Sequence, residues 1–242
     1  MTMPLYVPPE QIIKDRSDFA RRGVARGRPA VVISAADGVL LAAANVSRAL
    51  KKLSEIYDRL AFAAVGKWSE FEALRVAGIR YADLRGYSYA RTDVTGRGLA
   101  GAYAQTIAAA FTGDPKPLEI ELAVAQVGAT QESDAVFHVL FDGSVSDELP
   151  WAVLGGATQA GREAVAEGWR PGLTLPEAGR LARAALTGAD DGPGDSQAGG
   201  VGADSRAGAG TPGGAGAEDG FEVGLLRRVA SGRAFTRLQA LP

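Results

Sequence analysis

Several groups of residues in this 242-residue chain have types and spacings that bear on chemistry. Gly96, Gly98 and Gly101 fit G-x-G-x-x-G, with Glu119 and Glu121 about the right distance beyond for a dinucleotide ribose. That use needs a buried strand directly ahead of the first glycine, so that phosphate meets a helix N-terminus. The residues ahead are YSYARTDVT, polar and turn-like, so the glycines read as small residues on a closely packed helix. His138, the only histidine, lies in the strand-like run VFHVLF with no local partner. It reads as a structural histidine. A threonine attacks when its own free amine serves as base, yet Thr2 is followed by Met3-Pro4 and Thr211 lies in a glycine-rich stretch. Neither puts a hydroxyl at the head of a strand. Arg21, Arg22, Arg26 and Arg28 form a basic cluster able to receive an anion, and read first as a solvated helix end. The pairs Asp190/Asp191 and Glu218/Asp219 read as solvating charge.

Composition narrows the chemistry further. The absence of Cys removes disulfides, thiol nucleophiles and Cys-ligated metal, and a single His removes any multi-histidine metal site. No metal or other cofactor is expected. The net charge of −2 gives no general attraction to nucleic acid or to an anionic membrane. No run approaches the ~20 apolar residues of a membrane span, and the opening MTMPLYVPPEQ has neither a basic leader nor an apolar signal core. A cytoplasmic chain is expected. Of the 32 glycines, 12 fall in residues 188–220, a stretch with six acidic side chains against Arg206 alone. This segment is expected to be a disordered Gly/Ala/Asp-rich insertion, while 9–187 and 221–242 make one domain.

The elements that must position any site follow from patterning. Pro8 and Pro9 before Glu10 start a helix that stops near Gly23. Residues 1–8, with prolines at 4 and 8, read as a mobile arm. Two apolar runs flank Asp37-Gly38, a favoured hairpin turn, and a second strand pair follows in KKLSEIYD and RLAFAAVG. These four strands are expected to share an antiparallel sheet. Ser69 to Glu72 fits a capping box opening a helix through EFEALRVAG. After Thr95, Leu99, Tyr103, Ile107 and Phe111 form one helical stripe. Strands return in LEIELAVAQVG, AVFHVLFDG and SVSDELPWAVLGG, then helices over 157–168 and 174–187, then a final hairpin. Strands grouped with strands and helices with helices predict an α+β fold of two stacked antiparallel sheets between helix pairs.

The segments SRALKKLSEIYDRLAFAAVGKWSEFEALR, GYSYARTDVTGRGLAGAYAQT, FDGSVSDELPWAVLGG and PPEQ resemble the α subunits of actinobacterial proteasome cores. The resemblance covers nearly the whole chain outside 188–220. It implies the four-layer αββα sandwich of N-terminal-nucleophile hydrolases, and a non-catalytic subunit of a threonine-type endopeptidase complex. It also implies seven-membered outer rings of this chain on rings of β subunits. The catalytic positions of the β family match Arg28, Ala44 and Lys52, so nucleophile and acid are missing and only the lysine remains. In α rings, Lys52 would pair with the terminal carboxylate of an ATPase activator's tail, Gly66 would leave it space, and Asp18 matches an acidic pocket residue. The arm residues Thr2, Met3, Pro4, Leu5, Tyr6, Val7 and Pro8 would gate the pore. Tyr6 is followed by Val7 where archaeal and eukaryotic relatives carry Tyr-Asp. The implied substrates are proteins unfolded by a ring-shaped ATPase, including those tagged with this lineage's ubiquitin-like modifier. Two other functions carry less of the sequence: a self-sufficient N-terminal-nucleophile hydrolase, and a dinucleotide-binding protein built on Gly96–Gly101.

Overall fold

The computed structural model describes residues 8–47, 49–156, 159–187, 220–229 and 232–242. The apolar run AVVISA forms β1 (Ala30–Ala35), buried throughout, and GVLLAAA forms β2 (Gly38–Ala44). Their register pairs Ala35 with Gly38, so the turn is Ala36-Asp37 and not Asp37-Gly38. Gly38 instead opens the second strand at φ +147°, where a Cβ would collide with the Leu226 carbonyl oxygen. Only glycine tolerates both conditions.

The second hairpin, β3 (Leu53–Tyr57) and β4 (Leu60–Gly66), does not join the first in one sheet. The expectation of a single four-stranded sheet is therefore corrected. One sheet has the order β10-β9-β2-β1-β8, with β8 (Trp151–Leu154), β9 (Phe221–Arg227) and β10 (Phe235–Leu238). The other has the order β3-β4-β5-β6-β7, with β5 (Ile120–Gln126), β6 (Ala135–Val139) and β7 (Val145–Leu149). All pairs are antiparallel. The physical reason lies in the strands themselves: both faces of each hairpin are apolar, so stacking face to face removes more surface from water than lying edge to edge.

Alternation along the strands divides the core into layers. Val32, Leu41, Leu53, Ala63, Val65 and Leu154 meet between the sheets. Val31, Ile33 and Leu40 point the other way, onto α4 (Gln159–Gly168) and α5 (Leu175–Thr187) through Val165, Ala182 and Leu186. Phe62, Ile120 and Leu122 face α2 (Trp68–Ser88) and α3 (Gly96–Gly113), meeting Phe71, Leu99, Tyr103 and Ile107. The αββα sandwich is thus built as the strand and helix order implied.

Local signals were met unevenly. Thr95 caps α3, its hydroxyl oxygen accepting from the Gly98 N–H at 3.2 Å, and the stripe Leu99, Tyr103, Ile107 and Phe111 is buried. Ser69 does not cap α2, which begins at Trp68 with no side-chain cap. The two acids at its start have tertiary and local partners instead. Glu70 accepts from Lys116 and from the Glu119 N–H, and Glu72 pairs with Arg75. The helix also runs past Gly78, which is a packing glycine against the Tyr103 hydroxyl.

One more helix, α1 (Pro9–Ala25), begins as the Pro-Pro-Glu pattern predicts. It rests against β4 and β5 across one end of the sandwich. Arg16 anchors it by donating to the carbonyls of Ala110, Phe111 and Asp114 at the end of α3, where unpaired helical carbonyls need donors. Residues 1–7, and residues 188–219 of the insertion expected at 188–220, lie outside the described residues.

Candidate functional site

Lys52 immediately precedes β3, and the chain there is fixed by a buried carboxylate from the opposite sheet. Glu222 on β9, 7% exposed, accepts from the Lys52 N–H at 2.9 Å, the Leu53 N–H, the Asn45 amide at 2.8 Å and Arg237 at 2.7 Å. Its lone pairs are occupied, and it leaves the Lys52 ammonium to find another partner. That partner is the Arg28 carbonyl oxygen, 2.6 Å from Nζ. Among the described residues Lys52 makes no ion pair. Burial and the Arg28 guanidinium lower its pKa to about 8, with Glu222 opposing. The result is a cation held in place by one neutral oxygen.

Arg28 belongs to the turn between α1 and β1, and the same turn reaches Gly66. A Cβ on Gly27 would stand 2.8 Å from the Gly66 nitrogen. Gly66 itself has φ +108°, and a Cβ there would collide with the Glu119 carbonyl oxygen. Its identity is therefore required by the β4–β5 backbone whether or not anything binds beside it. Lys52 and Gly66 thus flank a single turn. Asp18 sits exposed on α1, where its carbonyl oxygen accepts from Arg22 Nε at 3.1 Å. No hydrogen bond or ion pair among the described residues joins it to Lys52 or Gly66. Of the gate residues, Thr2, Met3, Pro4, Leu5, Tyr6 and Val7 lie outside the described residues. Pro8 is the N-cap of α1, with its carbonyl oxygen accepting from Gln11 and Ile12.

The other candidates resolve into structural roles. The Gly96 N–H donates to Gln126 Oε1 at 2.6 Å and the Gly98 N–H to Thr95, so the chain's own side chains occupy the α3 N-terminus. The preceding element is a 3₁₀ turn, Arg91–Asp93, and not a strand. His138 has a partner after all, Glu121, at 2.5 Å between Nε2 and Oε1. Both are buried; Glu121 also accepts from the Gly155 N–H at 3.0 Å and lies 3.5 Å from Arg162. A diagonal cross-strand pairing was readable in principle, because Ala123 faces His138 in the sheet and Glu121 shares the Ala123 face. The register that reveals it was not. Thr211 and the acid pairs of 188–219 lie outside the described residues.

Comparison with known proteins places this geometry in a family. The family described as Proteasome subunit matches residues 24–199. The chain is 53% identical over 238 residues to the proteasome subunit alpha of Xylanimonas cellulosilytica, covering 98% of this chain and 93% of that one. The chain belongs to the proteasome α-subunit family. It is also 51% identical over 238 residues to the proteasome subunit alpha of Kineococcus radiotolerans, covering 98% and 94%. With that of Sanguibacter keddieii the identity is 59% over 188 residues, covering 78% and 74%.

For a proteasome α subunit, the position of Lys52 is informative. The three positions that the resemblance aligned with the β-type catalytic set converge at one end of the sandwich. Lys52 Nζ meets the Arg28 carbonyl, and the Ala44 N–H donates to the Pro29 carbonyl at 3.0 Å. Arg28 carries no nucleophilic hydroxyl or thiol, and its nitrogen is a peptide nitrogen following α1, not a free amine. Ala44 carries no carboxylate. The lysine survives in a frame that lacks the groups an acyl transfer would need. Among the described residues, no helix is long and apolar enough to cross a membrane.

Proposed function

We propose that this chain is a non-catalytic, ring-forming subunit of the proteasome core that controls entry and docks an ATPase activator. In this reading, seven copies form each outer ring on β-subunit rings, which carry the threonine peptidase activity. Residues 1–8 close the axial pore, and proteins unfolded by the ATPase pass through it. The observation that carries the docking function is the Lys52 ammonium: half-buried, without an ion pair among the described residues, and bound only to the Arg28 carbonyl. A carboxylate brought to that position replaces a neutral acceptor with a charged one. A hydrogen bond to a charged group contributes about 1.5–3 kcal/mol. One such contact is weak; a ring presenting several tails gains avidity through effective concentration. Gly66 lies beside the same turn, and Asp18 is an exposed acid on α1 able to meet a tail's donors.

The test is ATPase-stimulated degradation of a folded substrate by an α/β core assembled with Lys52→Ala, with native mass confirming assembly. Loss of stimulation is expected, and full stimulation would refute the docking role. For the arm, deletion of residues 2–8 is expected to raise peptide hydrolysis by the assembled core. No increase would show that the arm does not obstruct entry.

A further inference from the structure

The basic cluster at the end of α1 does not act as one group. Arg28 gives its carbonyl to Lys52, while Arg21 and Arg22 line a cavity on the side of α1 that faces α4. The cavity has a volume of about 420 Å³, within the roughly 300–1,000 Å³ typical of small-molecule sites. Val24, Leu140 and Phe141 supply an apolar wall. We propose that it binds a small carboxylate with an apolar body, at a site separate from Lys52.

The charge balance carries this assignment. Glu121 is the buried acid of the cavity, and it is matched from within by His138, the Gly155 N–H and Arg162. Asp142, also on the wall, turns its Oδ1 onto the Ser144 N–H and hydroxyl at 2.9 and 2.6 Å. Neither acid reaches Arg21 or Arg22, which make no ion pair among the described residues. Arg21 is held with its guanidinium 5.7 Å above the Phe141 ring, fixed by the ring's negative face and not by an anion. Arg22 spends its Nε on the Asp18 carbonyl, leaving its terminal nitrogens for a ligand. The carbonyl end of α1 disfavours an anion nearby, but two full guanidinium charges outweigh a partial helix charge. A carboxylate can therefore sit between Arg21 and Arg22 with its hydrocarbon on Val24, Leu140 and Phe141. A bare anion would leave that wall unused, and a cation would meet two arginines.

Calorimetric titration of the full chain with hexanoate, hexanamide and acetate tests the assignment. Saturable binding is expected at millimolar hexanoate, with hexanamide and acetate each about tenfold or more weaker. Arg22→Gln and Arg21→Gln/Arg22→Gln change exposed side chains and should weaken hexanoate about tenfold or more. Lys52→Ala should leave hexanoate binding as it is, which separates this site from the proposed docking lysine. The proposal is overturned if hexanoate shows no saturable binding or matches hexanamide or acetate. It is overturned equally if binding survives the arginine changes in a folded chain, or disappears with Lys52→Ala.

Discussion

The two ends of the sandwich solve the problem of a buried charge in opposite ways. At the end where β1 finishes, Asp134 is buried and receives four donors. Arg228 meets both carboxylate oxygens at 2.8 and 2.9 Å, while the Ser34 hydroxyl and the Gly128 N–H supply the others. Arg228 spends its remaining N–H groups on the carbonyls of Ala35, Ala36 and Gly128. At the end where β1 begins, Glu222 is equally satisfied, but Lys52 beside it has only a carbonyl. The Arg228–Asp134 pair at the first end is matched and sealed, which suits a structural clamp joining β1, β9 and the β5–β6 connection. At the second end Lys52 has no ion pair among the described residues, and burial with the Arg28 charge lowers its pKa to about 8. Such a cation adds little to stability; in the proposed function it receives an anion from outside.

Breaking the sealed end should have the largest effect. Arg228→Leu leaves Asp134 buried without its cation, and about 3–5 kcal/mol of stability should be lost in urea unfolding of the chain. A loss below about 1 kcal/mol would show that the clamp contributes only weakly, as an exposed ion pair would. Gly66→Ala is next: it forces a side chain into a positive-φ position against the Glu119 carbonyl, with an expected cost of about 1–3 kcal/mol or more. Lys52→Met should move stability by about 1 kcal/mol or less, because the lost hydrogen bond is offset by relief from burying a charge. A cost as large as that of Arg228→Leu would make the two ends alike. The smallest effect is the subtlest. Carboxylate docking needs charged lysine, and Lys52 loses its proton as pH rises through about 8. Affinity for a carboxylate tail should therefore be level below pH 8 and decline above it. With Lys52→Arg, any binding that remains should not decline over that range.

How much of this was legible in the sequence depended on whether the signal was local. The α3 stripe and its Thr95 cap, the Pro-started α1 and the final hairpin were readable because periodicity, caps and turn residues act within one element. The split of the first four strands between two sheets was not, because nothing within AVVISA or LSEIY says which face its hairpin will stack on. The capping box at Ser69 fails for a local reason: α2 starts one residue earlier, at Trp68, and Glu72 pairs with Arg75. At the candidate site, Lys52 and Gly66 came from the resemblance, while the structure supplied the turn at Gly27-Arg28 that lies between them. Glu222 as the organiser of the Lys52 segment depends on a contact between the two sheets, and Glu121 as the partner of His138 on the β5–β6 register. No spacing in the sequence marks those.

In the proposed function Lys52 is kept available for a carboxylate from outside the chain. Fluorescence anisotropy of a labelled peptide from the C-terminal tail of the cognate ATPase, titrated with assembled α/β core at pH 7, tests it most directly. The free-acid peptide is expected to bind about tenfold or more tightly than its C-terminal amide, and Lys52→Ala to remove this difference. Equal binding of acid and amide, or a difference that persists in Lys52→Ala, would contradict it.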